Sequence, residues 1–221
     1  MKSYGRIDLE YDIGEDRLLS ISTSIELNEG GAPDAAVAAV VAKWSHRVDL
    51  ELAEVIAFSS SGVEQHSDAM HNLVPDAWLW RFTQAAVATT NYGGYRQGFP
   101  AGDISLADMV GLLPFLNSLY MIDLTGLELI NFVSSQGVAM GGMTTVGGFA
   151  LNDESAIIND SVYTMMVTDY MDSAFDELRT YDATPVETGI HWRQPVIDWL
   201  INTHSSQAVP LEKFLDSAAR R

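Results

Sequence analysis

Five histidines, His46, His66, His71, His191 and His204, are the residues around which a catalytic metal would be held, since imidazole and carboxylate are the strong ligands left to a chain without cysteine. Their spacing does not favour such a site. No two stand four apart on a helix or alternate as His-x-His, and the ligand-like His66-Ser67-Asp68 reads, in a loop, as surface or capping residues. No metal is assigned to this chain. A serine hydrolase would carry its nucleophile in Gly-x-Ser-x-Gly, which the sequence lacks. Tyr92-Gly93-Gly94-Tyr95 and Gly141-Gly142 have neither the Lys-Ser/Thr of a phosphate loop nor the third glycine of a dinucleotide fingerprint, so each alone reads as a turn. What remains is a cluster of three segments within 27 positions: Asn91-Tyr92-Gly93-Gly94-Tyr95-Arg96, Gly102-Asp103-Ile104-Ser105 and Leu113-Pro114-Phe115-Leu116-Asn117.

The chain that must position them has 221 residues, 47% hydrophobic, 10% aromatic and 19% charged, a globular composition sufficient for one good-sized domain or a domain plus a fragment. Twelve basic against 30 acidic residues give a net charge of −18, which repels duplex nucleic acid and anionic membrane surfaces. Neither is an expected partner. An anionic small molecule would need a local arginine or a set of backbone amides to overcome that field. With no cysteine, disulfides and thiol catalysis are excluded and the compartment stays open. No apolar run approaches the ~20 residues of a membrane span, and the first residues enter strand-like alternation without the apolar core of a signal peptide.

Ile7, Leu9 and Tyr11 alternate with Arg6, Asp8, Glu10 and Asp12 before the Gly14-Glu15-Asp16 turn and a second apolar stretch over 18–27, which predicts a hairpin. A linker at 28–34 follows, and Asp34 is placed to cap a helix running to about His46. After the break at Ser59-Ser60-Ser61-Gly62, the pattern predicts a helix over 74–88 with Pro75 in its first turn. Ser105-Leu106-Ala107-Asp108 and Thr125-Gly126-Leu127-Glu128 have capping-box spacing and open short helices, the first stopped by Pro114. Strands are expected over 118–124 and 161–167, a loop or hairpin over 137–148 and a helix over 194–202. Irregular alternation of helices and strands predicts an α+β (mixed α/β) domain.

The order and spacing of the three segments resemble the C-terminal domain of the 5′-nucleotidase and 2′,3′-cyclic-nucleotide phosphodiesterase family, with its Asn-x-Gly-Gly-x-Arg loop, Gly-Asp-Ile step, short helix and Pro-Phe-x-Asn turn. Asn72-Leu73-x-x-Asp76-Ala77, Thr125-Gly126 with Glu128, Tyr163-x-x-x-Val167-x-Asp169-Tyr170, and Thr188-Gly189 with Ile197-Asp198-Trp199 extend the resemblance to about residue 202. It implies a substrate-binding domain over 61–204, preceded by a terminal hairpin (1–28) and a linker and bridging helix (29–60) left from a metallophosphoesterase domain, and followed by a tail (205–221). The chain is then expected to start mid-protein.

The resemblance further implies that a nucleotide or nucleoside is bound with its base between Phe115 and Tyr170. Asn117 would meet the base edge, Asp176 the ribose hydroxyls and Arg96 the phosphate, and Gly141 would give backbone access beside the base, while Asn91, Gly93 and Gly94 shape the loop. Two features depart from the family pattern: no arginine lies within Glu64-Gln65-His66-Ser67-Asp68, and Ala174-Phe175-Asp176-Glu177 replaces a Gly-Gly-Asp-Gly loop. This chain would carry no catalytic residue. The implied reaction is phosphoric ester hydrolysis by a divalent metal pair in the metallophosphoesterase domain, in cis or in trans, at a periplasmic or extracellular site. Alternatives are a non-catalytic nucleoside-binding or protein-interaction module, or a relative acting on a non-nucleotide ester of the thiosulfate-processing type.

Overall fold

The computed structural model describes residues 3–221, so Met1 and Lys2 of the expected hairpin segment lie outside the described residues. The chain divides into two units, 1–48 and 49–221. In the first, β1 (Ser3–Asp12) and β2 (Arg17–Leu27) pair antiparallel, with Leu9 opposite Ile21 and a register shift between Glu10 and Tyr11. Asp12 closes the turn by accepting from the amides of Gly14 (2.8 Å) and Glu15 (3.0 Å). Asp34 caps α1 (Ala35–Glu51), accepting from the amides of Ala36 and Val37. Alternation leaves Ile7, Leu9, Ile21 and Ile25 exposed, and no residue of α1 is buried.

The second unit begins earlier than residue 61, because β3 (Val55–Ser59) pairs with residues 102–105 and belongs to the domain rather than to a linker. α2 (Asp68–Arg81) is capped by Ser67, so Pro75 lies inside the helix and not in its first turn. Proline has no N–H to offer the carbonyl of His71, and the Tyr95 hydroxyl donates to that oxygen instead, at 3.2 Å. Residues expected to end this helix form β4 (Val87–Asn91). β5 (Gly102–Ser105) leads into α3 (Leu106–Leu112), and β6 (Ser118–Thr125) into α4 (Gly126–Ser135). Both helices carry the reciprocal bonds expected of their capping boxes.

The glycine-rich segment holds β7 (Val138–Gly141) and the short pair β8 (Met143–Thr144) and β9 (Ala150–Leu151). β10 (Val162–Thr168), α5 (Asp169–Ala174), α6 (Asp176–Tyr181), β11 (Val186–His191) and α7 (Gln194–Thr203) complete the domain. The main sheet runs β11-β6-β10-β4-β7, parallel between β10 and β4 and antiparallel elsewhere. Period-two alternation feeds a core on each face: along β10, Met165 and Val167 join the core with Phe132 and Leu129 of α4, and Met166 joins that with Trp78 of α2 and Leu200 of α7. The architecture is the mixed α/β fold expected.

Residues 205–221 are not a free tail. Leu211 is buried, and the Glu212 carboxylate accepts from the backbone amides of Ser60 and Ser61 and the hydroxyls of Ser59, Ser60 and Ser61. Asn72 donates to the carbonyls of Asp216 (3.0 Å) and Ala218 (2.9 Å). One turn further along α2, Asp76 takes both ends of the Arg220 guanidinium, at 2.6 and 2.7 Å. The segment is the last layer of the domain because two polar residues four apart on one helix face hold its backbone and its arginine.

Candidate functional site

Strand register assembles one end of the sheet. Thr168 at the end of β10 lies opposite Leu119 near the start of β6, and His191 at the end of β11 opposite Ser118. The residues just beyond these pairs, Asn117, Asp169, Tyr170 and Trp192, are therefore neighbours although they are far apart in sequence. β4 is parallel to β10 and contributes Asn91 and the 3-10 turn Tyr92–Gly94 at the same end. Of these, Asn91, Gly93, Gly94, Asn117, Tyr170 and Trp192 border a cavity of about 360 Å³ with Phe115 and Leu116.

Trp192 is the fixed back wall. It is 1% exposed, its indole N–H donates to the Phe115 carbonyl at 2.9 Å, and its amide donates to the Asn117 carbonyl at 3.0 Å. Its own carbonyl accepts from the Trp78 indole at 3.0 Å. The Pro-Phe-x-Asn turn is thereby clamped at two points to a buried indole. A β-carbon on Gly94 would lie 3.1 Å from that ring, so glycine is what lets the loop close against it.

Against this buried wall the two candidate rings face solvent: Phe115 is 47% and Tyr170 52% exposed. The Arg96 guanidinium stands 6.0 Å from the Phe115 ring centre, and the Arg96 amide donates to the Leu112 carbonyl at 2.9 Å. Asn117 donates from its side-chain amide to Asp169 at 2.6 Å, and the same carboxylate oxygen accepts from the Tyr170 amide at 2.7 Å. Burial and the neighbouring Arg193 cation push the His191 imidazole below its ordinary pKa, while Asp169 opposes them. The arrangement offers aromatic faces, the side-chain amides of Asn91 and Asn117 and the Arg96 cation, and the lining residues include no serine, cysteine, histidine or carboxylate.

Asn91, Gly93, Gly94, Phe115, Asn117 and Tyr170 thus line one cavity, with Arg96 at its edge. Gly141 and Asp176 do not line it. Gly141 is buried in β7 under α2, where an added β-carbon would come within 2.9 Å of Pro75 and Asp76, so close packing explains the glycine. Asp176 opens α6, exposed and paired with Arg179. Trp192 and Asp169 emerge only with the tertiary structure, although Asp169 directly precedes Tyr170 in the recognised motif. His66 and His71 are drawn into a ring cluster, with His71 4.5 Å from Tyr92 and 5.2 Å from Tyr95 between centroids. Among the described residues no three His, Asp or Glu side chains converge as metal ligands.

Residues 41–152 match the family model described as "5′-nucleotidase, C-terminal domain". The chain belongs to that family. A 5′-nucleotidase of Vibrio parahaemolyticus is 24% identical over 243 residues, covering 92% of this chain and 43% of that protein. A trifunctional nucleotide phosphoesterase of Bacillus subtilis is 41% identical over 61 residues, 26% of this chain and 4% of its own length. In fold, the chain is similar to a 5′-nucleotidase precursor from Thermus thermophilus, with a TM-score of 0.67, 19% identity and coverage of 99% of this chain and 49% of that one. The chain therefore spans less than half the length of these relatives. Among the described residues no helix is long and apolar enough to cross a membrane.

Proposed function

We propose that the domain is the nucleotide- or nucleoside-recognition half of a 5′-nucleotidase-like phosphohydrolase, holding the base between Phe115 and Tyr170. The observation that carries this reading is a pair of half-exposed aromatic rings at the rim of one cavity whose back wall is clamped. A large apolar ring exposed in the free protein favours a flat partner, and base stacking supplies about 1–3 kcal/mol per ring without demanding a particular base. Asn117 addresses the base edge and Arg96 the phosphate, by a guanidinium fork suited to oxyanions. Hydrolysis belongs to a metallophosphoesterase domain in cis or in trans, where a divalent metal pair would activate the attacking water. By family, the place of action is periplasmic or extracellular.

Calorimetric titration of adenosine and AMP into the chain and into Phe115→Ala and Tyr170→Ala tests the reading. Each truncation is expected to weaken both ligands by about 5- to 150-fold. Both rings are half exposed, so the variants should stay folded. Equal affinity in wild type and both variants would sink the sandwich.

A further inference from the structure

The orientation of the Asn117 amide is set by what it faces. Its Nδ2 donates to Asp169 at 2.6 Å, and a carboxylate accepts but does not donate, so the nitrogen side of the amide is fixed toward Asp169. The same oxygen of Asp169 holds the Tyr170 amide at 2.7 Å, which ties the amide to the residue that supplies the second ring. Asp169 is placed for this by the pairing of Thr168 with Leu119, one position before it and two positions after Asn117. Asn117 lines the cavity, and among the described residues its Oδ1 takes no hydrogen bond.

We infer that Asp169 is a positioning residue that leaves the Asn117 carbonyl oxygen as the acceptor facing the ligand, so that the site selects bases bearing an N–H donor on the edge turned toward Asn117. The inference rests on the stacking reading above and adds to it the polarity of the recognised edge. A base with the same stacking area but no such donor would cover Oδ1 and leave it unpaired, losing the bond and the solvation of the acceptor together.

Adenosine, inosine and purine riboside separate the two ideas. Adenosine carries an exocyclic amine and inosine a ring N–H, whereas purine riboside stacks similarly and has no N–H on that edge. In calorimetry on the full chain, purine riboside is expected to bind about five- to tenfold more weakly than either of the others. Asp169→Leu should bring this ratio to near one, while Asp169→Asn, whose amide oxygen can still accept from Asn117, should keep most of it. Should Asp169→Leu fail to fold, Asn117→Leu takes its place and is expected to abolish the ratio while retaining binding. Equal binding of the three nucleosides by the wild type overturns the inference and leaves stacking standing, as does a full ratio in the leucine variant. Failure of all three to bind overturns the stacking reading and this inference with it.

Discussion

Replacing Arg220 by methionine removes a guanidinium that is 8% exposed and keeps much of the side-chain volume. The arginine donates to Asp76 through both terminal nitrogens, to Asp216 at 2.7 Å and to the Met140 carbonyl at 3.0 Å. Burial raises the Asp76 carboxyl above its ordinary pKa even with the cation beside it, so the pair contributes less than its geometry alone would give. Taking the cation away is the expensive perturbation, because Asp76 is then left charged and without its counter-ion. Breaking a fully buried pair costs about 3–5 kcal/mol, and the 31% exposure of the Asp76 side chain brings this to roughly 2–3 kcal/mol. Asp216, 45% exposed, adds little. In urea unfolding followed by tryptophan fluorescence, the midpoint should fall by about 1 M. Asp76→Leu combined with Arg220→Met should recover much of that loss, because no unpaired charge remains. A single-variant shift below about 0.3 M, or strictly additive effects in the double variant, would refute the claim that this ion pair clamps the C-terminal segment.

Two further outcomes are expected. Arg96→Gln should weaken AMP by about 10- to 150-fold and adenosine by much less in the same calorimetric assay, since loss of a charge-assisted bond costs about 1.5–3 kcal/mol; equal losses would make Arg96 a loop residue only. His71 is held below its ordinary pKa of 6.5 by burial and by His66, against Asp68, and among the described residues its buried Nε2 has no hydrogen-bond partner. The unfolded chain therefore binds the proton first as pH falls, so this contribution to stability is complete above about 6.5 and is lost below it. His191, lowered likewise, acts in the same direction. Thermal midpoints at about pH 7.5 and about pH 5.5 should show a fall that His71→Leu reduces without abolishing; an unchanged fall would refute the assignment.

Local signals were the legible part of this chain. A capping box lies within four residues, and Ser105 with Asp108 and Thr125 with Glu128 fold as their spacing predicts. The chemistry-bearing segments were legible for the same reason, since loop, turn and ring stand close in sequence. The start of helix α2 differs from the expectation because Pro75 is a proper start signal by itself, whereas here the Ser67 cap, five residues after Gly62, wins and Tyr95 relieves the freed carbonyl. Val87 and Ala88 continue a short apolar run that helix and strand share, and only pairing with β7 and β10 makes it a strand. Trp192 and Asp169 depend on strand register across more than fifty residues of chain, for which local spacing carries no signal.

The motif residues also divide by what they hold. Asn72 and Asp76 belong to the segment that carries the resemblance to the family, yet in this structure they bind residues 216–220 rather than the cavity, and Gly141 is glycine because Pro75, with Asp76 beside it, lies over it. Phe115 and Tyr170 show the opposite character, rings left half exposed beside a wall held by two tryptophan indoles. On the proposed reading, a domain built this way would keep its affinity in surfaces that cost little stability to change and its rigidity in contacts that do not meet the ligand. Ring substitutions should therefore alter binding with the unfolding midpoint nearly constant, and changes at Arg220 should do the reverse. The exposed Ile7, Leu9, Ile21 and Ile25 of the first unit fit the same division, since a two-stranded hairpin with one apolar face gains stability only from a further layer. In the proposed two-domain hydrolase a metallophosphoesterase domain would supply that layer, and the hairpin would then serve assembly while the second unit serves recognition.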